Sequence, residues 1–156
     1  MPDVFTKAKR SQVMSRIRGH GNKETELALV KLFRANGITG WRRHQPLFGK
    51  PDFTFRRERV IVFVDGCFWH GCPRHSNMPV NNRRFWEKKL TANKRRDRLV
   101  TKTLRQQGWR VLRIWEHDLT TNKKAVVRKM KRFIGLHEND MIPLQNSLVA
   151  DDVRRL

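Results

Sequence analysis

Acidic residues are scarce in this chain: 14 Asp and Glu stand against 35 Lys and Arg in 156 residues, a formal charge of +21. Charge of that size repels itself until a polyanion neutralises it, and phosphate backbones are the commonest polyanion a cell offers. Long apolar runs are lacking too. None exceeds the five residues Val60–Val64, whereas a membrane-spanning helix needs roughly 20, and no basic amphipathic tail stands apart, so a membrane is not the expected partner. The opening Met-Pro-Asp-Val-Phe-Thr-Lys-Ala-Lys-Arg has no apolar core of a secretion signal, so the cytoplasm, beside the nucleoid, is the expected location. Cysteine is nearly absent, and two cysteines in a reducing compartment point to metal ligands or free thiols rather than a disulfide. There is no internal repeat, low-complexity tract or obvious linker, and the length fits one domain.

What is present is concentrated in Val60–His75, Val-Ile-Val-Phe-Val-Asp-Gly-Cys-Phe-Trp-His-Gly-Cys-Pro-Arg-His. Five apolar residues in a row are long enough for a strand covered on both faces and too short for a helix. Polar groups delivered from the end of such a strand are held rigidly at the rim of a sheet. Around it, Asn22 can cap a helix running to about Asn36, with Gly37 ending it and Leu29, Leu32 and Phe33 on one face. A shorter helix is expected near Ser11–Arg18. The alternation in Asp52–Arg56 reads as a strand, with Arg56–Arg59 turning into Val60 and a hairpin centre near Glu58 that sets Asp52 almost opposite Asp65. Helical pattern covers Arg83 to about Gln107, a strand follows over Trp109–Trp115, and a last helix spans about Lys123–Ile134. This order predicts an α/β single domain over 1–136, with a small mixed central β-sheet flanked by helices. Residues 1–20 form its N-terminal arm and 137–156 a C-terminal tail.

Three groupings carry chemistry. Cys67, Cys72 and His75, with His117 after the later strand, offer two thiolates and two imidazoles, the tetrahedral set that structural zinc prefers. The alternative leaves two ordinary buried cysteines and a loop with little to hold it. In the helix from Arg83, the residues Trp86, Leu90, Asn93, Asp97, Val100 and Leu104 step by four and three, so Asn93 and Asp97 lie on an apolar stripe and need partners. His70 would satisfy Asp97, which would fix its tautomer for general-base work; a salt bridge to Arg95, Arg96 or Arg98 is the alternative. Asp52 facing Asp65 is repulsive unless a cation lies near, and magnesium suits one or two carboxylates plus a phosphate oxygen. Glu26, in the first turn of its helix, either complements the helix dipole or holds a water.

Gly49-Lys-Pro-Asp52-Phe, Val-Asp65-Gly-Cys-Phe-Trp-His70-Gly-Cys-Pro, Arg-Phe-Trp86, Asn93-x3-Asp97 and Gly108-Trp-Arg-Val-Leu-Arg-Ile-Trp-Glu-His117 together resemble the very short patch repair (Vsr) endonucleases. The resemblance spans about residues 5–135 in matching order. It implies a type II restriction endonuclease-like fold and a magnesium-dependent nick of double-stranded DNA on the 5′ side of the T in a T:G mismatch, the lesion left by deaminated 5-methylcytosine. Asp52 and the Val64 backbone carbonyl are then the magnesium ligands, with Asp65 a further candidate, while His70 is the base, Asp97 its orienter and Glu26 the holder of metal-bound water. Phe68, Trp69 and Trp86 become an aromatic wedge beside the mismatch, and Cys67, Cys72, His75 and His117 the ligands of a structural zinc. A one-strand nick asks only for a monomer; mismatch-repair proteins are candidate partners. One departure stands out, because the wider nuclease superfamily usually has a lysine where this chain has Asp65. A restriction-type enzyme cutting matched DNA, or a zinc-bound DNA-binding module without catalysis, are the competing readings.

Overall fold

A computed structural model of the chain describes residues 25–136, with Thr6 and Ala8 before them. The helix expected over Ser11–Arg18, the Asn22 cap, the arm over residues 1–20 and the tail over 137–156 lie outside the described residues. Within them the order is α1 (Glu26–Ala35), β1 (Trp41–Arg43), β2 (Phe53–Phe55), β3 (Val60–Asp65), α2 (Arg83–Gln106), β4 (Arg110–Trp115), α3 (Asp118–Thr121) and α4 (Lys123–Ile134).

The strands form one sheet in the order β1-β2-β3-β4. The first three are antiparallel and β3 pairs with β4 in parallel, so the sheet is mixed and α2 supplies the crossover that a parallel pair requires. All six residues of β3 are buried, as the unbroken apolar run predicts for a strand covered on both faces. On one face Leu29 and Phe33 of α1 and Val126 and Met130 of α4 pack over Phe53, Phe55, Val60, Val62, Leu112 and Ile114. On the other, Val100 and Leu104 of α2 pack over Ile61, Phe63 and Val111. Phe33 is fully buried and meets Phe53 and Phe55 edge-on, with centroids 5.3 and 5.8 Å apart, the geometry that aligns ring edge with ring face. The helices therefore hold the sheet from both sides, and its upper rim is left for the loops after β3 and β4.

Two details aim that rim. The chain leaves α1 through Gly37 at φ +64, where Ile38 N–H returns to the Phe33 carbonyl at 2.9 Å, a left-handed C-terminal turn that favours glycine. The loop into β2 then packs on α2 so closely that a Cβ at Gly49 (φ +76) would lie 2.2 Å from Val100 Cγ1. His44 and Lys50, at the two ends of this loop, hold φ of 48 and 51, a conformation costing about 1–2 kcal/mol for a residue with a Cβ. Residues kept in such strain lead straight to Pro51-Asp52.

The expected hairpin forms with a shifted centre. Phe55 pairs with Val60 and Phe53 with Val62, so the axis falls between Arg57 and Glu58 and the next pair outward is Asp52 with Phe63, not Asp52 with Asp65. Strand β3 starts directly after the four-residue turn, which leaves no residue to push the register further. Strand β1 and the single turn of α3 are additions that the sequence pattern did not announce.

Candidate active site and metal centre

Three carboxylates converge where β2 begins and β3 ends. Asp52 Oδ2 accepts the Val64 N–H at 2.7 Å, which fixes the side chain beside the Val64 backbone. Glu26, only 3% exposed in the first turn of α1, accepts from Arg43 Nη2 and lies 2.8 Å from His44 Nε2. Burial first, then the charges of Glu26 and Asp65, push the Asp52 carboxyl up from 3.8 to about 7 against the lowering effect of the Val64 hydrogen bond. A carboxyl kept from ionising by burial and by neighbouring carboxylates marks a candidate functional site, and a cation beside it would favour its charged form. A divalent cation suits this donor set, with Asp52, the Val64 carbonyl and phosphate oxygens as hard ligands.

Asp65 goes elsewhere than the hairpin expectation placed it. At 4% exposure both its oxygens are gripped by the Arg113 fork, Nε to Oδ2 at 2.6 Å and Nη2 to Oδ1 at 2.7 Å. That bidentate pair already supplies the positive charge a buried carboxylate needs, so Asp65 needs no cation to balance its charge.

His70 and Asp97 meet as the helical stepping predicted, with Nδ1 2.6 Å from Oδ2. Burial alone would raise the Asp97 carboxyl, but the His70 hydrogen bond and the charges of Arg113, His70 and Arg96 outweigh it and hold the group below its usual range. An ionised Asp97 can only accept, so Nδ1 of His70 donates and Nε2 is left with its lone pair outward, the tautomer a general base requires. One turn earlier on α2, Asn93 Nδ2 donates to the Trp69 carbonyl at 2.9 Å. Both polar residues on the apolar stripe thus hold the same loop, at neighbouring residues. Arg96 lies 3.9 Å from Asp97, so the salt bridge posed as the alternative is present only as a weak addition.

Cys67, Cys72, His75 and His117 bring one ligand atom each to within 4.8 Å of one another. Cys67 Sγ lies 3.2 Å from His117 Nδ1, and Cys72 Sγ lies 3.7 Å from both His75 Nδ1 and His117 Nδ1. A zinc tetrahedron, with bonds of about 2.3 Å to sulfur and 2.0–2.1 Å to nitrogen, has S···N edges of about 3.5 Å. The four donors therefore fit zinc in number, kind and spacing. His117 Nε2 sits 3.4 Å from Asp118 Oδ1, the carboxylate support commonly given to a metal-bound imidazole. Burial, aided by Cys72 and Glu116 and opposed by a backbone hydrogen bond at His117, pushes the Cys67 thiol up to about 11, so its thiolate forms only with a cation beside it.

Phe68, Trp69 and Trp86 pack as a triple with centroids 5.1–6.1 Å apart. Phe85 joins Trp86 at 5.3 Å and is 59% exposed, which extends the aromatic surface by a residue the sequence reading did not single out. Arg113, Arg43 and His44 were also missed. Arg113 had a signal, a lone charge inside the apolar alternation Val-Leu-Arg-Ile. His44 had only its sequence nearness to Asp52.

A family model described as DNA mismatch endonuclease Vsr matches residues 2–76. A type II nicking enzyme, V.NmeDIP of Neisseria meningitidis serogroup C, is 38% identical over 134 residues, covering 85% of this chain and 90% of its own. The type II nicking enzyme V.NaeI of Lentzea aerocolonigenes is 49% identical over 78 residues, 50% of this chain and 47% of its own. The DNA mismatch endonuclease Vsr of Escherichia coli (strain K12) is 34% identical over 141 residues, 86% and 88% of the two chains.

Proposed function

Because the chain belongs to the Vsr family of DNA mismatch endonucleases, a hydrolase acting on DNA, we propose that it nicks double-stranded DNA 5′ of the T in a T:G mismatch, with magnesium as the catalytic metal. The observation that carries this reading is the His70–Asp97 pair at 2.6 Å, whose His70 stands on the same short loop as Phe68 and Trp69 and at the same sheet rim as Asp52.

The division of labour follows from position. Asp52 and the Val64 carbonyl would hold magnesium, which would supply positive charge against that developing on the phosphate. His70 Nε2 takes the proton of the attacking water, and Asp97 stabilises the imidazolium that results. Glu26, fixed by Arg43 and His44, orients that water. Phe68, Trp69 and Trp86 enter the stack beside the mismatch; unstacking costs a few kcal/mol per step and a mispaired base lowers that cost, which selects distorted DNA. Zinc at Cys67, Cys72, His75 and His117 is structural, because four protein donors leave no open position. The fold is of the type II restriction endonuclease class, and the protein works as a monomer in the bacterial cytoplasm on nucleoid DNA. None of the described helices is long and apolar enough to cross a membrane.

The test is strand scission of a labelled duplex with one T:G mismatch in a methylated-cytosine context, beside its T:A counterpart, with magnesium and then with EDTA. Magnesium-dependent nicking of the mismatched duplex alone, lost in Asp52→Ala, is the expected result. Equal cutting of the matched duplex would favour a restriction-type enzyme, and binding without scission would refute catalysis.

A further inference from the structure

The catalytic pair does not stand alone. Arg113, in the middle of β4, pairs with Phe63 across the parallel strands and lays its guanidinium over the Phe63 ring, 4.7 Å from the centroid. Its donors are spent inward. Nε and Nη2 take the two oxygens of Asp65, Nη2 also reaches Asp97 Oδ1 at 3.2 Å, and Nη1 lies 3.5 Å from Thr101 Oγ1. Asp97 therefore has a separate partner for each oxygen, Arg113 on Oδ1 and His70 on Oδ2, and cannot rotate without breaking one.

Asp65 gives this arrangement its purpose. Its Oδ1 lies 3.7 Å from His70 Nδ1, close enough to compete with Asp97 for the same N–H. An imidazole between two carboxylates, Asp65 buried and Asp97 half-buried, would divide its time between two orientations, and only one points Nε2 along the direction Asp97 sets. Arg113 engages both oxygens of Asp65 and so removes the competitor, while its remaining contact locks Asp97.

We propose that Arg113 is a positioning residue for the nicking reaction, which selects a single orientation of His70 by neutralising Asp65 and anchoring Asp97. The inference rests on the nicking role of His70 put forward above. Arg113 acts through its neighbours and is not a phosphate clamp, because its fork is already committed. A lysine could not replace it, since an ammonium gives a point charge where two carboxylates at fixed angles need a planar fork.

The experiment compares wild type, Arg113→Lys, Arg113→Gln and Asp65→Asn/Arg113→Gln. Arg113→Lys keeps a cation at this half-buried position and so tests the geometry in a folded protein even if Arg113→Gln unfolds. On the T:G duplex, Arg113→Lys is expected to lower kcat about 10- to 100-fold, the usual effect of losing an orienting partner, with KM within about twofold. The double variant should recover part of the loss of Arg113→Gln, since it removes the competing carboxylate. Imidazole nitrogen NMR gives a readout independent of scission: His70 should be a single Nδ1–H tautomer in wild type and a mixture in Arg113→Lys. A wild-type kcat and an unchanged tautomer in Arg113→Lys would overturn the proposal. So would a loss confined to KM, which would make Arg113 a DNA contact in the cleft of about 580 Å³ that it lines with Arg98, Lys102 and Arg105. Wild type that shows the single tautomer but cuts nothing would refute the nicking reading and leave the positioning intact.

Discussion

Asp52 should make this protein less stable the better it is suited to its work. Its carboxyl titrates near 3.8 in an unfolded chain and at about 7 in the folded one, so folding takes up a proton between those values. Below about pH 4 both states are protonated and there is no penalty. Stability then falls as pH rises through the window, and above about pH 7 the whole cost is present. Three units at 1.36 kcal/mol each set a ceiling of about 4 kcal/mol; the group is only partly buried, and solvent screening brings a realistic figure to about 1–2 kcal/mol. Asp52→Asn removes the charge but keeps an oxygen to accept the Val64 N–H. Without magnesium, the variant should melt about 3–8 °C above wild type at pH 8, and the gap should close towards pH 4. Magnesium should raise the melting temperature of wild type at pH 8 and leave the variant unmoved, because the cation replaces the proton at the same carboxylate. Thermal melts by circular dichroism at several pH values, with and without magnesium, read all of this. A variant that melts below wild type at pH 8, or a gap equal at pH 4 and pH 8, would refute the argument from burial and neighbouring charge.

Other perturbations reach other parts of the site. Cys67→Ser, or a strong chelator, should remove one zinc per chain by metal analysis and destabilise the fold by more than about 3 kcal/mol in denaturant melts, since the metal binding energy is folding energy here. His70→Ala should lower kcat for T:G nicking about 10²- to 10⁴-fold while binding of the mismatched duplex by fluorescence anisotropy stays near wild type. Trp69→Ala should weaken binding of the mismatched duplex about 10- to 100-fold, from the loss of about 1–3 kcal/mol of stacking, and leave the matched duplex unchanged; equal weakening of both would deny it a wedge role. Phe33→Ala, far from the rim, should cost about 3–5 kcal/mol of stability with kcat preserved in the fraction that remains folded.

Legibility in the sequence followed the range of the interactions. Helix α4 lies where its amphipathic spacing put it, and β3 is buried over the whole apolar run, because both signals are contained in the residues themselves. His70 with Asp97 was legible for a related reason: a carboxylate on an apolar helical stripe must find a partner, and few polar groups can reach it. The four cysteine and histidine donors could be grouped because ligand chemistry restricts the choice of residue. Strand β1 was not legible, since Trp41-Arg-Arg43 has neither length nor alternation and is a strand only because β2 lies beside it. The Asp65–Arg113 pair was hidden for the same kind of reason. It depends on which residue of β3 faces which residue of β4, 48 positions apart, and hydrophobic pattern does not encode that register. The hairpin expectation placed Asp52 two residues from its observed partner Phe63, while the pairing of β3 with β4 brings Arg113 to Asp65.

The loop closed by Cys67 and Cys72 would link the proposed selection of mismatched DNA to the proposed chemistry. Only four residues separate the two cysteines, and they include Phe68, Trp69 and His70. Two side chains one turn apart on α2 hold this loop, Asn93 at the Trp69 carbonyl and Asp97 at the His70 ring. The aromatic proposed to enter a base stack and the imidazole proposed to take a proton are thus adjacent in the chain, fixed to the same helix face and tied at both ends to the same proposed zinc. Displacing Trp69 by much more than an ångström would strain the His70–Asp97 hydrogen bond, since four residues between two anchored sulfurs have little slack. Duplex DNA that refuses the wedge would therefore also misplace His70, and matched DNA would be discriminated against at the chemical step as well as in binding. Discrimination of that kind needs no second domain and no lid. It needs a loop too short to let its aromatics and its imidazole move independently.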